Sequence, residues 1–204
     1  LASGDTAEAI RLLKAVPKGD AGVETPRTTM LAIAYLRDKH PDEAVKTAAD
    51  YAAKHPNDSS AHLLYGTALV AAGKHKEARA QYEEAVRLDP KNQPALMSLG
   101  SLDSVEGHYK DAEARYGTVL KQDPHSATAM TVLGKLAAIQ GNNAEAIKWF
   151  RQAIAAQPKS ASAYVELVML YSQNGQFDDA AAVAKQLADA LPDNPAALNA
   201  FGAA

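Results

Sequence analysis

Six histidines are the side chains best suited to proton transfer or metal ligation near neutral pH: His40, His55, His62, His75, His108 and His125. None stands four residues from another, so neither HxxxH nor HExxH spacing occurs and no helix presents two imidazoles on one face. The adjacent acidic pairs Glu83–Glu84 and Asp178–Asp179 would point about 100° apart on a helix, a poor geometry for an acid/base couple. GxGxxG and GxxxxGK[ST] are both absent, which removes the usual phosphate cradles. With no cysteine there is no thiolate ligand, thiol nucleophile or disulfide framework. These residues predict a non-enzyme with no metal and no cofactor.

Charge excludes further classes. The 21 basic and 24 acidic residues give a net charge of −3, and the two signs alternate along the chain. A nucleic-acid binder would gather Lys and Arg into a stripe. No run approaches the roughly 18 apolar residues of a membrane span. Absence of cysteine fits a cytosolic and an envelope protein equally well.

The elements that must position these residues are set by a repeat. "GKHKEARAQYEEAVRLDPKN" at 73–92 returns as "GHYKDAEARYGTVLKQDPHS" at 107–126. Pro56, Pro90, Pro124, Pro158 and Pro192 are each 34 residues apart, as are Gly73, Gly107, Gly141 and Gly175. Ala44, Ala78, Ala112, Ala146 and Ala180 keep the same step. One array of five full periods follows: 25–58, 59–92, 93–126, 127–160 and 161–194. Residues 1–24 read as the second helix of a truncated period plus a connector, and 195–204 as the start of another.

Each period reads as two helices. The first opens beside Asp58, Asn92, Ser126, Ser160 or Asn194, whose side chains can accept from unpaired amides. It closes at the loop glycine, and the second helix runs to the proline that cannot continue it. Apolar residues at three- and four-residue steps, such as Leu96, Leu99 and Gly100, place one face inward. Small residues at the eighth place (Ala32, Gly66, Gly100, Gly134, Val168) and alanine at the twentieth predict close helix crossings. Tyr82, Tyr116 and Phe150 fill the space beyond. Tyr51 and Leu187, where other periods have Ala85 and Ala153, imply local repacking. Asp103 falls on the inner face, half-buried beside the second helix, and needs a partner there.

The register of Gly, Ala, aromatic and Pro resembles the tetratricopeptide repeat (TPR) family over the whole chain. That resemblance implies an all-α fold: a right-handed superhelical solenoid of antiparallel helix pairs whose first helices line a concave groove. Repetition is then a requirement of stacking, because no pair buries its apolar face alone.

The expected partner is a protein or peptide held in the groove. The candidate face comprises Thr29, Ile33, Leu36 and Arg37; Leu63, Thr67 and Val70; Met97, Ser101, Ser104 and Val105; Thr131, Lys135, Ala138 and Ile139; and Val165, Met169 and Ser172. It is apolar and nearly uncharged apart from Arg37 and Lys135, which marks either a binding site or surface buried between repeats. The carboxylate clamp of chaperone-binding TPR modules has no counterpart: its places hold residues such as Thr29, Ile33, Leu64, Pro94 and Ser98. Nor does the asparagine ladder of O-GlcNAc enzymes, whose places hold Met30, Leu64, Ser98, Val132 and Glu166. An apolar helix or extended segment is the expected ligand.

A narrower resemblance lies in "LGSLDSVEGHYKDAEARYGTVLKQDPHS", "AYVELVMLYSQNGQFDDA" and "PDNPAALNAFGAA". These are similar to the long TPR lipoproteins of bacterial PEP-CTERM/exosortase systems. That similarity implies a periplasmic or envelope-anchored scaffold in exopolysaccharide or surface-protein assembly. Two alternatives stay open: the TPR arm of a cellulose-like exopolysaccharide export machine, and a regulatory arm of an enzyme whose catalytic domain lies outside these residues. A start at Leu1 and an end at "LNAFGAA" predict a fragment with its targeting signal elsewhere. Residues 1–16 would then lack the helix they pack on, exposing Ile10 and Leu13 and favouring end-to-end association between chains.

Overall fold

The computed structural model of the chain describes residues 3–16, 21–192, 194 and 195. Among the described residues there are eleven α-helices and no strand: α1 (Ser3–Ala15), α2 (Ala21–Arg37), α3 (Pro41–Lys54), α4 (Ser59–Ala71), α5 (His75–Leu88), α6 (Gln93–Val105), α7 (Tyr109–Gln122), α8 (Ala127–Ile139), α9 (Asn143–Ala156), α10 (Ala161–Gln173) and α11 (Phe177–Ala190). The chain divides into two compact units, Leu1–Leu102 and Asp103–Ala204. The division falls inside α6, within the 93–126 period.

Three-residue turns join the two helices of each period, which makes the pairs antiparallel. Gly73, Gly107, Gly141 and Gly175 all take φ between 72° and 80°, the left-handed region where a Cβ is penalised. In the first period that place belongs to Lys39, held at φ 59° without glycine's freedom. The same C-terminal bond closes every turn: the amides of His40, Lys74, His108, Asn142 and Gln176 donate to the carbonyls of Tyr35, Leu69, Asp103, Ala137 and Tyr171 at 2.8–2.9 Å.

The N-terminal caps are less uniform than the sequence predicts. Asp58 Oδ1 accepts from the Ser60 amide at 2.9 Å, Asn92 Oδ1 from Ala95 at 3.0 Å and Ser126 Oγ from Ala129 at 3.4 Å. Ser160 makes no capping bond. Two further expectations are corrected. Helix α2 begins at Ala21, not at 25, and runs through Pro26, whose missing N–H falls near the helix start where its loss costs least. Ile10 is buried (8 % exposed) and Leu13 packs against the same cluster, because α1 lies on α2 beside Leu31 and Tyr35. Leu12 is the exposed leucine of α1.

The core of the first unit gathers Ile10, Leu31, Tyr35 and Ala48 around one cluster and Leu69, Tyr82, Leu99 and Leu102 around another. In the second unit, Phe150, Tyr164, Leu167, Tyr171 and Leu187 form the largest cluster. The five alanines at the twentieth place are all fully buried, and so is Ala32 at the eighth. A Cβ added at Gly66 would lie 2.5 Å from Tyr82 Cε1, and one at Gly134 would lie 2.6 Å from Phe150 Cε1. Glycine is therefore set at those two crossings by the ring packed onto it. Replacing Ala112, 0 % exposed, by leucine is expected to cost ~1–3 kcal/mol through overpacking, read as a lower urea midpoint. An unchanged midpoint would mean the crossing has room.

Asp103 is not half-buried but 2 % exposed, and Arg115 Nε donates to its Oδ2 at 2.5 Å. Tyr51, in the place of an alanine, is buried; its hydroxyl meets Thr25 Oγ1 at 2.6 Å, and its ring lies 4.4 Å from that of His55. Leu187 at the same place is fully buried. Larger residues there are accommodated by local repacking, as expected. No helix among the described residues is long and apolar enough to cross a membrane.

Candidate functional site

The histidines do not assemble. His62 sits between the Gln81 Oε1 (2.9 Å from Nδ1) and the Pro56 carbonyl (3.0 Å from Nε2), tied to neighbours on both sides. His40 and His108 lie beside Asp38 and Glu106 in their own turns, at 3.1 and 3.6 Å. Among the described residues no three His, Asp or Glu side chains come together as metal ligands would. Glu84 is engaged by Arg87 through two bonds of 2.6 and 2.7 Å, and the guanidinium holds its carboxyl below the usual range. Burial pushes the Tyr116 phenol up, so it stays protonated, with Ser104 Oγ at 3.5 Å.

The first helices carry the exposed apolar surface. In the first unit Ile33 and Met30 on α2 are 41 % and 57 % exposed, and Arg37, Thr67 and Ser101 are exposed too. Thr29, Leu36, Leu63, Val70 and Met97 are half-buried; Leu63 and Val70 lean on the Tyr82 cluster and Leu36 on the Tyr35 cluster. A cavity of about 150 Å³ between α2 and α3 is lined by Glu24, Arg27, Thr28, Leu31, Thr47, Asp50, Tyr51 and Lys54. Two acids and two bases balance there, and Glu24 accepts from Lys54 Nζ at 3.1 Å.

In the second unit Val105, Ile139 and Met169 are 82 %, 62 % and 45 % exposed, and Val165 is half-buried against the Phe150 cluster. Thr131 is the correction on this face. It is buried, and its hydroxyl donates back to the Ala127 carbonyl at 2.7 Å, so only its flank reaches a cavity wall. Lys135 Nζ donates to Glu166 Oε1 at 2.8 Å, joining α8 to α10 across this face.

That ion pair stands between two open cavities that share Lys135. One, about 150 Å³, is lined by Thr128, Thr131, Val132, Gln157, Ser160 and Ser162 together with alanines 127, 153 and 163. The other, about 140 Å³, is lined by Ala138, Ile139, Phe150, Glu166, Met169, Leu170 and Gln173. The first is polar-walled and the second largely apolar. Sequence reasoning singled out Lys135, Ile139 and Met169 here but missed Glu166, Gln157, Ser160 and Ser162. A usable signal existed for Glu166. It lies 31 residues from Lys135, one 34-residue period less three, which puts the two one helical turn out of step on neighbouring first helices.

Two models of the tetratricopeptide repeat match the chain, one over residues 29–93 and 98–161 and the other over 137–203. Comparison with curated proteins finds no match by sequence. Among solved structures, PilF of Pseudomonas aeruginosa superposes with a TM-score of 0.70 at 17 % identity, covering 96 % of this chain and 82 % of its own. MamA from residue 41 onward, of Desulfovibrio magneticus RS-1, gives 0.64 at 19 % identity, covering 86 % of this chain and 96 % of its own. A tetratricopeptide repeat protein of Parabacteroides merdae gives 0.67 at 20 % identity over 87 % of this chain and 71 % of its own. At such identities the likeness is one of fold. With helix pairs, crossing glycines and turn glycines in register across the matched residues, the chain belongs to the tetratricopeptide repeat family.

Proposed function

We propose that this chain is a non-catalytic scaffold that binds a protein partner on the face of its first helices. The supporting observation is the α8–α10 face of the second unit, where exposed Ile139 and Met169 flank a cavity floored by Phe150 and Leu170. Apolar surface left open beside an ordered core is the usual mark of a docking site. TPR proteins are in general interaction scaffolds. On the α2 face, Ile33 and Met30 offer a second apolar surface of the same kind.

The wider setting we propose is bacterial envelope assembly, exopolysaccharide or surface-protein, on the strength of the lipoprotein-like phrases in the sequence. The open reading frame that encodes the chain tests this through a lipid-attachment signal at its start. A cytoplasmic enzyme domain encoded in the same frame would overturn it.

Capture experiments test the docking face. Met169→Asp and Ile139→Asp change exposed side chains, whereas Leu63 and Val165 are partly built into the core and would confound binding with folding. Each is expected to weaken partner capture about tenfold or more, the scale of a hot-spot side chain, with the helical circular dichroism and the melting temperature unchanged. Undiminished capture by the double variant would rule this face out.

A further inference from the structure

The two cavities beside Lys135 differ in what they ask of a ligand. In the polar one, the hydroxyls of Thr128, Ser160 and Ser162 and the amide of Gln157 make no hydrogen bond among the described residues. They are donors and acceptors awaiting a polar group. The apolar one offers Ile139, Met169 and Phe150 and about 140 Å³, close to the volume known to accept a benzene-sized group. On α8 and on α10 alike, the residues lining the two cavities centre about seven positions apart, roughly 10 Å along the helix.

Between them the Lys135–Glu166 pair is half in solvent, with side-chain exposures of 50 % and 26 %. The ammonium has three donors and the carboxylate several lone pairs, so each keeps capacity beyond their mutual bond. A pair of opposite charges suits a neutral peptide group, whose C=O would face Lys135 and whose N–H would face Glu166. A helical ligand has already spent those backbone groups on itself, whereas an extended one leaves them free. Among extended forms, polyproline II returns a side chain to the same side every third residue, about 9 Å on. That matches the cavity spacing. A β-strand would offer about 7 or 13 Å instead.

We infer that the α8–α10 face takes an extended, polyproline-II-like segment, with a large apolar side chain in the Ile139–Met169 cavity and a hydroxyl or amide side chain three residues away in the Thr128–Ser162 cavity. Lys135 and Glu166 bind the peptide groups between the two. The inference rests on the reading above that this face is the partner-binding one.

The test is a synthetic peptide array probed with the full chain. Uncharged peptides carry one Leu or Phe and one Ser or Asn at separations of two, three, four or seven, in both orders, with and without proline between them. Separation three is expected to bind best and to gain from proline. The combined change Lys135→Met with Glu166→Leu is expected to weaken that binding about tenfold or more, since bonds to charged groups are lost, while leaving the fold intact. Best binding at separation seven, strengthened by helix-stabilising residues, would overturn the extended ligand and keep the docking face. Binding indifferent to the Lys135/Glu166 change would overturn the backbone contact and with it the inference. If no peptide binds, the inference fails; the docking face fails with it only if Met169→Asp also leaves partner capture undiminished.

Discussion

Phe150→Ala is expected to cost about 3–5 kcal/mol, because the ring is 1 % exposed and its loss leaves a cavity between α8, α9 and α10 that rigid helices cannot close. The same ring dictates glycine at 134. Gly134→Ala gains up to about 1 kcal/mol of helix propensity, but its Cβ would sit 2.6 Å from Phe150 Cε1, and overpacking of about 1–3 kcal/mol outweighs the gain. Removing the ring should reverse the sign: in the Phe150→Ala background, Gly134→Ala becomes neutral or stabilising. Gly117→Ala is the control. It makes the same chemical change inside α7 with nothing within 4 Å, and should stabilise by about 0.5–1 kcal/mol. Trp149, the single tryptophan, abuts the core of the second unit and reports its unfolding in urea by fluorescence. A Gly134→Ala penalty that persists without the ring would show that the crossing is set by something other than Phe150.

The other large effect concerns Asp103. Arg115→Met should destabilise by about 3 kcal/mol, since it strands a carboxylate that is 2 % exposed. The value belongs at the low end of the usual range because the Arg115 side chain is 27 % exposed and its site is within reach of water. The pair itself need not stabilise. Ion pairs of this kind can often be replaced by apolar residues at no loss, and the preceding period carries Leu69 at the matching place. Asp103→Leu combined with Arg115→Met is therefore expected to recover most of the stability lost by the single change. A double variant as unstable as Arg115→Met alone would mean that the carboxylate is required for bonds besides the one to Arg115.

What the sequence made legible follows from physics that acts on single residues. A turn that needs positive φ selects glycine, and a crossing without room for a side chain selects glycine or alanine, so Gly73, Gly107, Gly134 and Ala112 announce their roles by type and period alone. The buried inner face of each helix follows from three- and four-residue spacing. What escaped depends on pairs. The depth of Asp103 is decided by Arg115 on the next helix, the burial of Ile10 by α1 settling on α2, and the charge on the binding face by Glu166 lying one turn out of step with Lys135. The cap expected at Ser160 did not form, while the chemically identical Ser126 caps α8. Residue type permits a cap, but the local backbone decides it. The polar cavity drew on residues from three helices and a connecting turn, and no spacing within one helix could have shown it.

The central claim is that partners dock on first helices and leave the second helices to the core and solvent. Hydrogen exchange of the full chain, with and without a captured partner, tests this most directly. Slowed exchange in α8 and α10, with α9 and α11 unchanged at their exposed ends, is the expected result. Protection confined to α9 and α11, with the α8 and α10 amides exchanging as in the free chain, would contradict it.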